Sequence, residues 1–170
     1  TKSNYNGYQV SCNGGSNGSI TVAASTTAYP VVYTWSTGRS RTINSGAVRD
    51  SIIGTLAAGT YYISMTDASG CGKVDTVVLT SPPALGLTLA PSSYDGFGTN
   101  CNGSSTGAIN ATPSGGYGTY GYSWTSTPAG FTSTSGNISS LAAKTYNLTV
   151  TDGNSCTIAG SSVITDPNAI

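Results

Sequence analysis

The sequence predicts an all-β protein, and three observations carry that prediction. Threonine, valine and tyrosine are abundant, every acid is an aspartate, and no leucine-rich helical pattern runs through the chain, a mix that favours strands. Short runs alternate apolar and polar residues between turn-forming clusters. A cysteine-centred phrase is also written twice. YNGYQVSCNGGSNGSI at 5–20 returns as YDGFGTNCNGSSTGAI at 94–109, and eight of the sixteen positions are identical.

The duplication spans the chain. Trp35 matches Trp124 at the same offset of 89, and after a four-residue deletion Leu56/Leu141, Tyr61/Tyr146, Asp67/Asp152, Cys71/Cys156 and Pro82/Pro167 pair at an offset of 85. Landmarks in one order over a whole unit mean tandem domains, 1–83 and 84–170, joined at SPPALG. DPNAI at 166–170 aligns with SPPAL at 81–85, and Thr1 aligns with Ala90, so the first copy lacks a counterpart of LGLTL at 85–89. The alignment thus predicts a window on a longer array whose first domain misses its first strand.

Within each copy the alternation names the buried face. TYYISMTD places Tyr61, Ile63 and Met65 on one side, and TYNLTVTD does the same with Tyr146, Leu148 and Val150. VVYTW and YGYSW offer Val31, Tyr33 and Trp35, then Tyr120, Tyr122 and Trp124. About seven such runs per copy with one buried tryptophan predict two tandem immunoglobulin-like β-sandwich domains.

Four cysteines in two equivalent pairs allow three connectivities, and repeat symmetry selects Cys12–Cys71 and Cys101–Cys156, one intradomain disulfide in each copy. Each would close a loop of about 60 residues, worth roughly 4 kcal/mol in the chain-entropy model. Four reduced, buried thiols are the alternative. Oxidised cysteines imply an extracellular setting. Zinc is disfavoured, since the chain has neither a CxxC pair nor a histidine.

The same inventory argues against an enzyme. Without histidine, Ser-His-Asp and Cys-His chemistry is excluded, and the six aspartates are scattered rather than paired. Asp67 and Asp152 recur at TDASGC and TDGNSC, where a side-chain oxygen can bond the turn backbone. One carboxylate per loop is poor for calcium. Neither a metal nor a cofactor is expected. Six basic side chains balanced by six acids make nucleic acid or an anionic membrane surface an unexpected partner, and no apolar run reaches the length of a membrane span. In GGYGTYGY, Tyr117 is the candidate carbohydrate contact, as a stacking platform for a sugar.

SCNGGSNGSI, VVYTWSTG, LAAGTYYISMTDASGC and SPPAL together resemble the SprB-type repeat of very large cell-surface, gliding-motility adhesins of Bacteroidota, and the resemblance covers both copies. The second copy departs from it with Lys144 where the first has Gly59, with NSC for SGC, and with SWTSTPAG for TWSTG. The resemblance implies type IX secretion, attachment at the outer surface and a filamentous stalk that spaces an adhesive tip from the cell. Its implied partners are neighbouring repeats of the same chain, the motility and secretion machinery reached through the full-length protein, and an external surface or polysaccharide. Asp50-Ser51-Ile52 and Asp75-Thr76-Val77 resemble the Asp-Ser/Thr-apolar motif of O-glycosylation in Bacteroidota, which predicts sugar at Ser51 before Thr76 and none on the second copy. Two other functions compete with a stalk: a carbohydrate-binding module, and a subunit of a strand-exchanged fibre.

Overall fold

A computed structural model describes residues 1–26, 28–46 and 49–169, with the side chains of Ser51, Ile53 and Gly54 also outside the description. The described residues form strands and turns, with no helix among them and hence none long and apolar enough to cross a membrane. The chain divides into two compact units, Thr1–Pro82 and Pro83–Ile170.

The first unit carries β1 (Gly18–Ala23), β2 (Val31–Trp35), β3 (Ser40–Ile43), β4 (Arg49–Leu56), β5 (Gly59–Thr66) and β6 (Gly72–Leu79). They make two antiparallel sheets, β1-β4 and β3-β2-β5-β6. The second unit carries β7 (Gly86–Pro91), β8 (Gly107–Ser114), β9 (Gly121–Thr127), β10 (Thr132–Ser133), β11 (Ile138–Leu141), β12 (Lys144–Thr151) and β13 (Thr157–Ile164). Its sheets are β11-β8-β7 and β10-β9-β12-β13, a three-on-four sandwich of the immunoglobulin type. In the first unit no described strand corresponds to β7. The outer edge of β1 meets residues 1–3 instead: Lys2 bridges Ile20, Ser3 N–H donates to Ser19 O, Ser19 N–H donates to Ser3 Oγ, and Thr21 exchanges bonds with Thr1.

Alternation builds both cores. Ile20, Val31, Tyr33, Trp35, Ile43, Ile52, Leu56, Ile63 and Leu79 bury together from both sheets of the first unit. Ile109, Trp124, Ile138, Leu141, Tyr146, Leu148, Val150 and Ile164 do so in the second. The faces read from TYYISMTD and TYNLTVTD are the ones observed, with Tyr61 and Met65 packed at the margin of the first core. Tyr120 and Tyr122 are likewise marginal, half-buried beside Trp124.

The repeated phrase folds as two turns in each copy. Tyr5 and Tyr8 pair across Asn6-Gly7, as Tyr94 and Phe97 do across Asp95-Gly96. Both central residues take positive φ (51° and 96°, then 48° and 90°), the tight hairpin turn for which Asn-Gly and Asp-Gly are preferred. The Cys-Asn-Gly turn follows, closed by Gly15 N–H to Cys12 O at 3.0 Å and Ser104 N–H to Cys101 O at 3.1 Å.

Two departures of the second copy have a local explanation. A Cβ at Gly59 would meet nothing within 4 Å, so the equivalent Lys144 fits without rearrangement. Ser155 replaces Gly70 in the other. Gly70 has φ 78° and Ser155 is held at φ 66°, a left-handed conformation that an L side chain adopts at a cost. Ser155→Gly is therefore expected to stabilise the second unit by about 0.5–1 kcal/mol, while Gly70→Ser destabilises the first. Urea denaturation of the two variants measures both, and a neutral or destabilising Ser155→Gly would show that this turn carries no strain.

Candidate functional site

The last strand of each copy sets the geometry of its ends. β5 pairs with β6 from Gly59–Leu79 to Thr66–Gly72, and β12 pairs with β13 from Lys144–Ile164 to Thr151–Thr157. At one end, the turn end, lie Asp67 to Cys71 and Asp152 to Cys156. At the other, the exit end, the chain leaves through Thr80–Pro82 and Thr165–Pro167. The Cys-Asn-Gly turn is tied to the exit end: Gln9 and Val10 N–H donate to Thr80 O, and Asn13 Nδ2 donates to Pro82 O at 3.2 Å. The second copy repeats this with Gly98 and Thr99 N–H to Thr165 O and Asn102 Nδ2 to Pro167 O at 2.9 Å.

This placement corrects the expected disulfides. Cys12 lies at the exit end and Cys71 at the turn end, and Cys101 and Cys156 are separated in the same way. Nine strand residues from Cys71 to Thr80 span about 30 Å at ~3.3 Å each. A disulfide needs Cα atoms within about 7 Å. Neither Cys12–Cys71 nor Cys101–Cys156 forms. Cys12 and Cys156 are the disulfide-bonded residues, and Cys71 and Cys101 carry free, exposed thiols.

The turn-end aspartates act on the backbone. Asp67 Oδ1 accepts from Ser69 N–H (2.9 Å) and Cys71 N–H (3.0 Å). Asp152 Oδ1 accepts from Asn154 and Cys156 N–H, both at 2.9 Å, and its Oδ2 from Tyr117 N–H at 2.9 Å. Each carboxylate thus fixes the position of its cysteine. Among the described residues no three His, Cys, Asp or Glu side chains gather as a metal site. At the exit end of the second copy, Asp166 is hydrogen-bonded by the Thr99 hydroxyl and by Gly103 N–H at 2.9 Å. Those two donors hold its carboxyl below the ordinary aspartate range.

Tyr117 stands at the turn end of the second copy, 37% exposed. Its backbone is held by Asp152 and by N–H bonds from Thr119 and Gly153 to its carbonyl. The other exposed aromatics of that copy, Tyr94 and Phe97, belong to the hairpin at the exit end, so the fold does not gather them beside Tyr117. Thr76 lies on β6 with an exposed side chain, between the exposed Val74 and Val78, because Val77 and Leu79 take the core side. Ser51, the other candidate for sugar, is not in a loop. It lies instead within β4, paired with Thr21, and its side chain is outside the described residues.

The sequence reading missed the role of Asp50. Its side chain is fully buried and caps the core tryptophan: Trp35 Nε1–H donates to Oδ2 at 2.7 Å. Arg39 and Arg41, two positions apart and so on one face, reach Oδ1 at 2.7 and 3.2 Å. Burial first, and then the Asp50 carboxylate, push the neighbouring Tyr33 hydroxyl above its usual pKa. The Arg-x-Arg spacing opposite an aspartate was the available signal. The second copy solves the same need with backbone, Trp124 Nε1–H donating to Ser135 O at 2.9 Å. Asp50→Ala is expected to cost the first unit about 1–3 kcal/mol, because the buried indole N–H loses its acceptor. That loss lowers the melting temperature by roughly 4–8 °C per kcal/mol. Calorimetry measures it, with the exposed Asp75→Ala expected to leave the transition in place.

Comparison with known proteins finds a family model that matches part of each copy. The model of the SprB repeat matches residues 8–40 and 99–128, which hold the Cys-Asn-Gly turn and the two strands after it in each copy, β1 and β2 and then β8 and β9. No curated protein sequence matches the chain. Among solved structures, it is similar to the amphioxus IgVJ-C2 molecule at 16% identity, covering 89% of this chain and 98% of that one, with a TM-score of 0.38. It is similar to the C-terminal 282-residue fragment of intimin, solved in complex with the intimin-binding domain of the translocated intimin receptor, at 15% identity and TM-score 0.41. There it covers 87% of this chain and 57% of that one. The N-terminal eight Ig domains of Down Syndrome Cell Adhesion Molecule isoform 1.30.30 are similar at 15% identity, over 94% of this chain and 21% of that one, with a TM-score of 0.38.

Proposed function

We propose, from the SprB repeat match in both copies, that the chain is a non-catalytic stalk segment of a large extracellular adhesin, serving surface adhesion and gliding. The observation that carries the reading is the path of the chain through the second copy. It enters at the turn end, where Gly116 N–H bonds Pro83 O, and leaves at the exit end beside Asn102. A domain entered at one end and left at the other is the unit from which a long spacer is strung. Export by the type IX route, display at the cell surface, and contact with motility machinery through the full-length protein belong to the same proposal.

Each repeat added to a recombinant array is expected to lengthen it by about 30–40 Å, the span of an eight-residue strand with its turns. Electron microscopy of rotary-shadowed arrays measures that increment, and arrays that collapse to constant length would overturn the spacer reading. On intact cells, protease shaving should release peptides of both copies. Peptides released only after lysis would overturn surface display.

A second reading rests on Tyr117, a rigidly held exposed ring that suits stacking on a sugar. Reproducible glycan-array binding lost in Tyr117→Ala would make the segment a carbohydrate-binding module, and binding that survives the substitution would remove Tyr117 from it. For O-glycosylation, the exposed Thr76 now precedes Ser51 as the proposed site, because its side chain faces outward while Ser51 sits mid-strand. Peptide mass spectrometry of native material separates the two.

A further inference from the structure

Positive charge gathers in one stretch of the first copy. All three arginines of the chain fall at 39, 41 and 49, and residues 1–66 hold four basic side chains against a single acid, Asp50. Arg39 and Arg41 lie on the face of β3 that Trp35 and Tyr33 share, since Arg41 pairs with Tyr33 and Arg39 O accepts from Trp35 N–H. β3 is an edge strand, so the two side chains reach the margin of the sandwich, where they meet Asp50 of β4 in the other sheet. They converge on one oxygen, Oδ1, while their side chains stay 39% and 50% exposed. We propose that this arginine pair binds an oxyanion group, a carboxylate or a sulfate ester, of an acidic polysaccharide. The proposal rests neither on the stalk reading nor on Tyr117, which belongs to the other copy.

The fold does not require the cluster. The second copy satisfies its tryptophan through the Ser135 carbonyl and carries no arginine, with Thr132, Ser133 and Asn137 beside that carbonyl instead. Two guanidiniums against one carboxylate leave one unit of positive charge, and the other aspartates of the first unit stand too far off to cancel it. Asp67 follows β5 and Asp75 lies on β6, two and three strands from β3 at about 4.8 Å per strand. Both lie beyond the screening length of about 8 Å at physiological salt. Arginine presents its donors in a rigid fork that matches the oxygens of a carboxylate or sulfate. The shared bond to Asp50 already fixes both forks, so an arriving anion meets ordered donors. The ligand class follows from the surroundings. Thr37, Ser40, Thr42, Asn44 and Ser45 around the pair are exposed and uncharged, and the chain has no net charge to draw a densely charged polymer such as nucleic acid. An acidic polysaccharide has the matching pattern, oxyanions set along a neutral hydroxylated chain.

The test titrates the full chain with an oligogalacturonate, a sulfated galactan oligosaccharide, an uncharged galactan oligosaccharide of the same length, and inorganic sulfate alone. Calorimetry is expected to show binding of an acidic sugar and none of the uncharged one, and the two acidic arms tell carboxylate from sulfate ester. In the unaltered protein, NMR of the arginine side chains should place the response on Arg39 and Arg41, so the assignment does not depend on a variant that folds. Arg41→Gln leaves Arg39 and the Trp35 N–H on Asp50, and is expected to keep the fold by circular dichroism while weakening binding by about tenfold or more. Arg41→Lys keeps the charge without the fork and should fall between the two. Lys73→Gln, at the far edge of the sheet, should bind as the unaltered chain does. Failure of both acidic sugars to bind, equal binding of the uncharged one, arginine signals that do not move, or a folded Arg41→Gln with full affinity would overturn the proposal. Inorganic sulfate binding as tightly as the sugars would overturn the polysaccharide assignment and leave a free-anion site.

Discussion

The full-length pairing of β6 with β5, and of β13 with β12, is the constraint on which both ends of each copy depend. An eight-residue ladder cannot bend back on itself, so whatever precedes the last strand is separated by its length from whatever follows. The aspartate turn is thereby fixed at one end and the chain exit at the other. The Cys-Asn-Gly segment then crosses to the exit because its amides find the Thr80 and Thr165 carbonyls there, and its asparagine finds Pro82 or Pro167. The phrase is written twice because each sandwich must close its own exit end with the same set of donors.

The two copies share a core and differ in how they satisfy it. A buried tryptophan brings one N–H that must be met. The first copy uses a carboxylate and then needs Arg39 and Arg41 to make that buried charge tolerable, which commits three of its few charged side chains to one bond. The second copy uses the Ser135 carbonyl and commits none. A chain that is only 7% charged cannot support many such clusters. The backbone solution is the economical one, and Asp50 marks where the first copy's β3–β4 region took another path.

Much of this was legible in the sequence. Period-two alternation fixed the inward faces of β2, β5, β9 and β12, since burying a single sheet face admits only one register. The Asn6-Gly7 and Asp95-Gly96 turns carried a signal that went unused, since positive φ at two successive positions restricts residue choice so strongly. The cysteine pairing was not legible. Symmetry between copies marks Cys12 with Cys101 and Cys71 with Cys156 as equivalent but says nothing of the distance between the two types, which the length of β6 and β13 sets. Asp50 escaped for a related reason. In sequence it is one residue of Asp-Ser-Ile, and its burial appears only when β4 brings it against Trp35 of β2, Arg39 and Arg41.

The last strands also show how an open edge is managed. In the second copy Gly160 on β13 lies against Leu87 and Leu89 of β7, and Ile158 joins the core margin, so that side of the sandwich is covered. In the first copy no described strand stands where β7 does, and the equivalent positions on β6 are Asp75 and Lys73. Charged side chains on the inward-facing register of an edge strand oppose the addition of a foreign strand, since pairing would bury them. The outward register of β6 carries Val74 and Val78, 65% and 48% exposed, with Thr76 between them. A glycan on Thr76 would lie over both valines and hydrate the one apolar strip that the charges do not guard. The same Asp-Thr-Val that resembles a modification motif thus places its acid where the edge needs protection and its hydroxyl where the face needs cover. The second copy has Gly160 and Ser161 at these two positions, with β7 against Gly160.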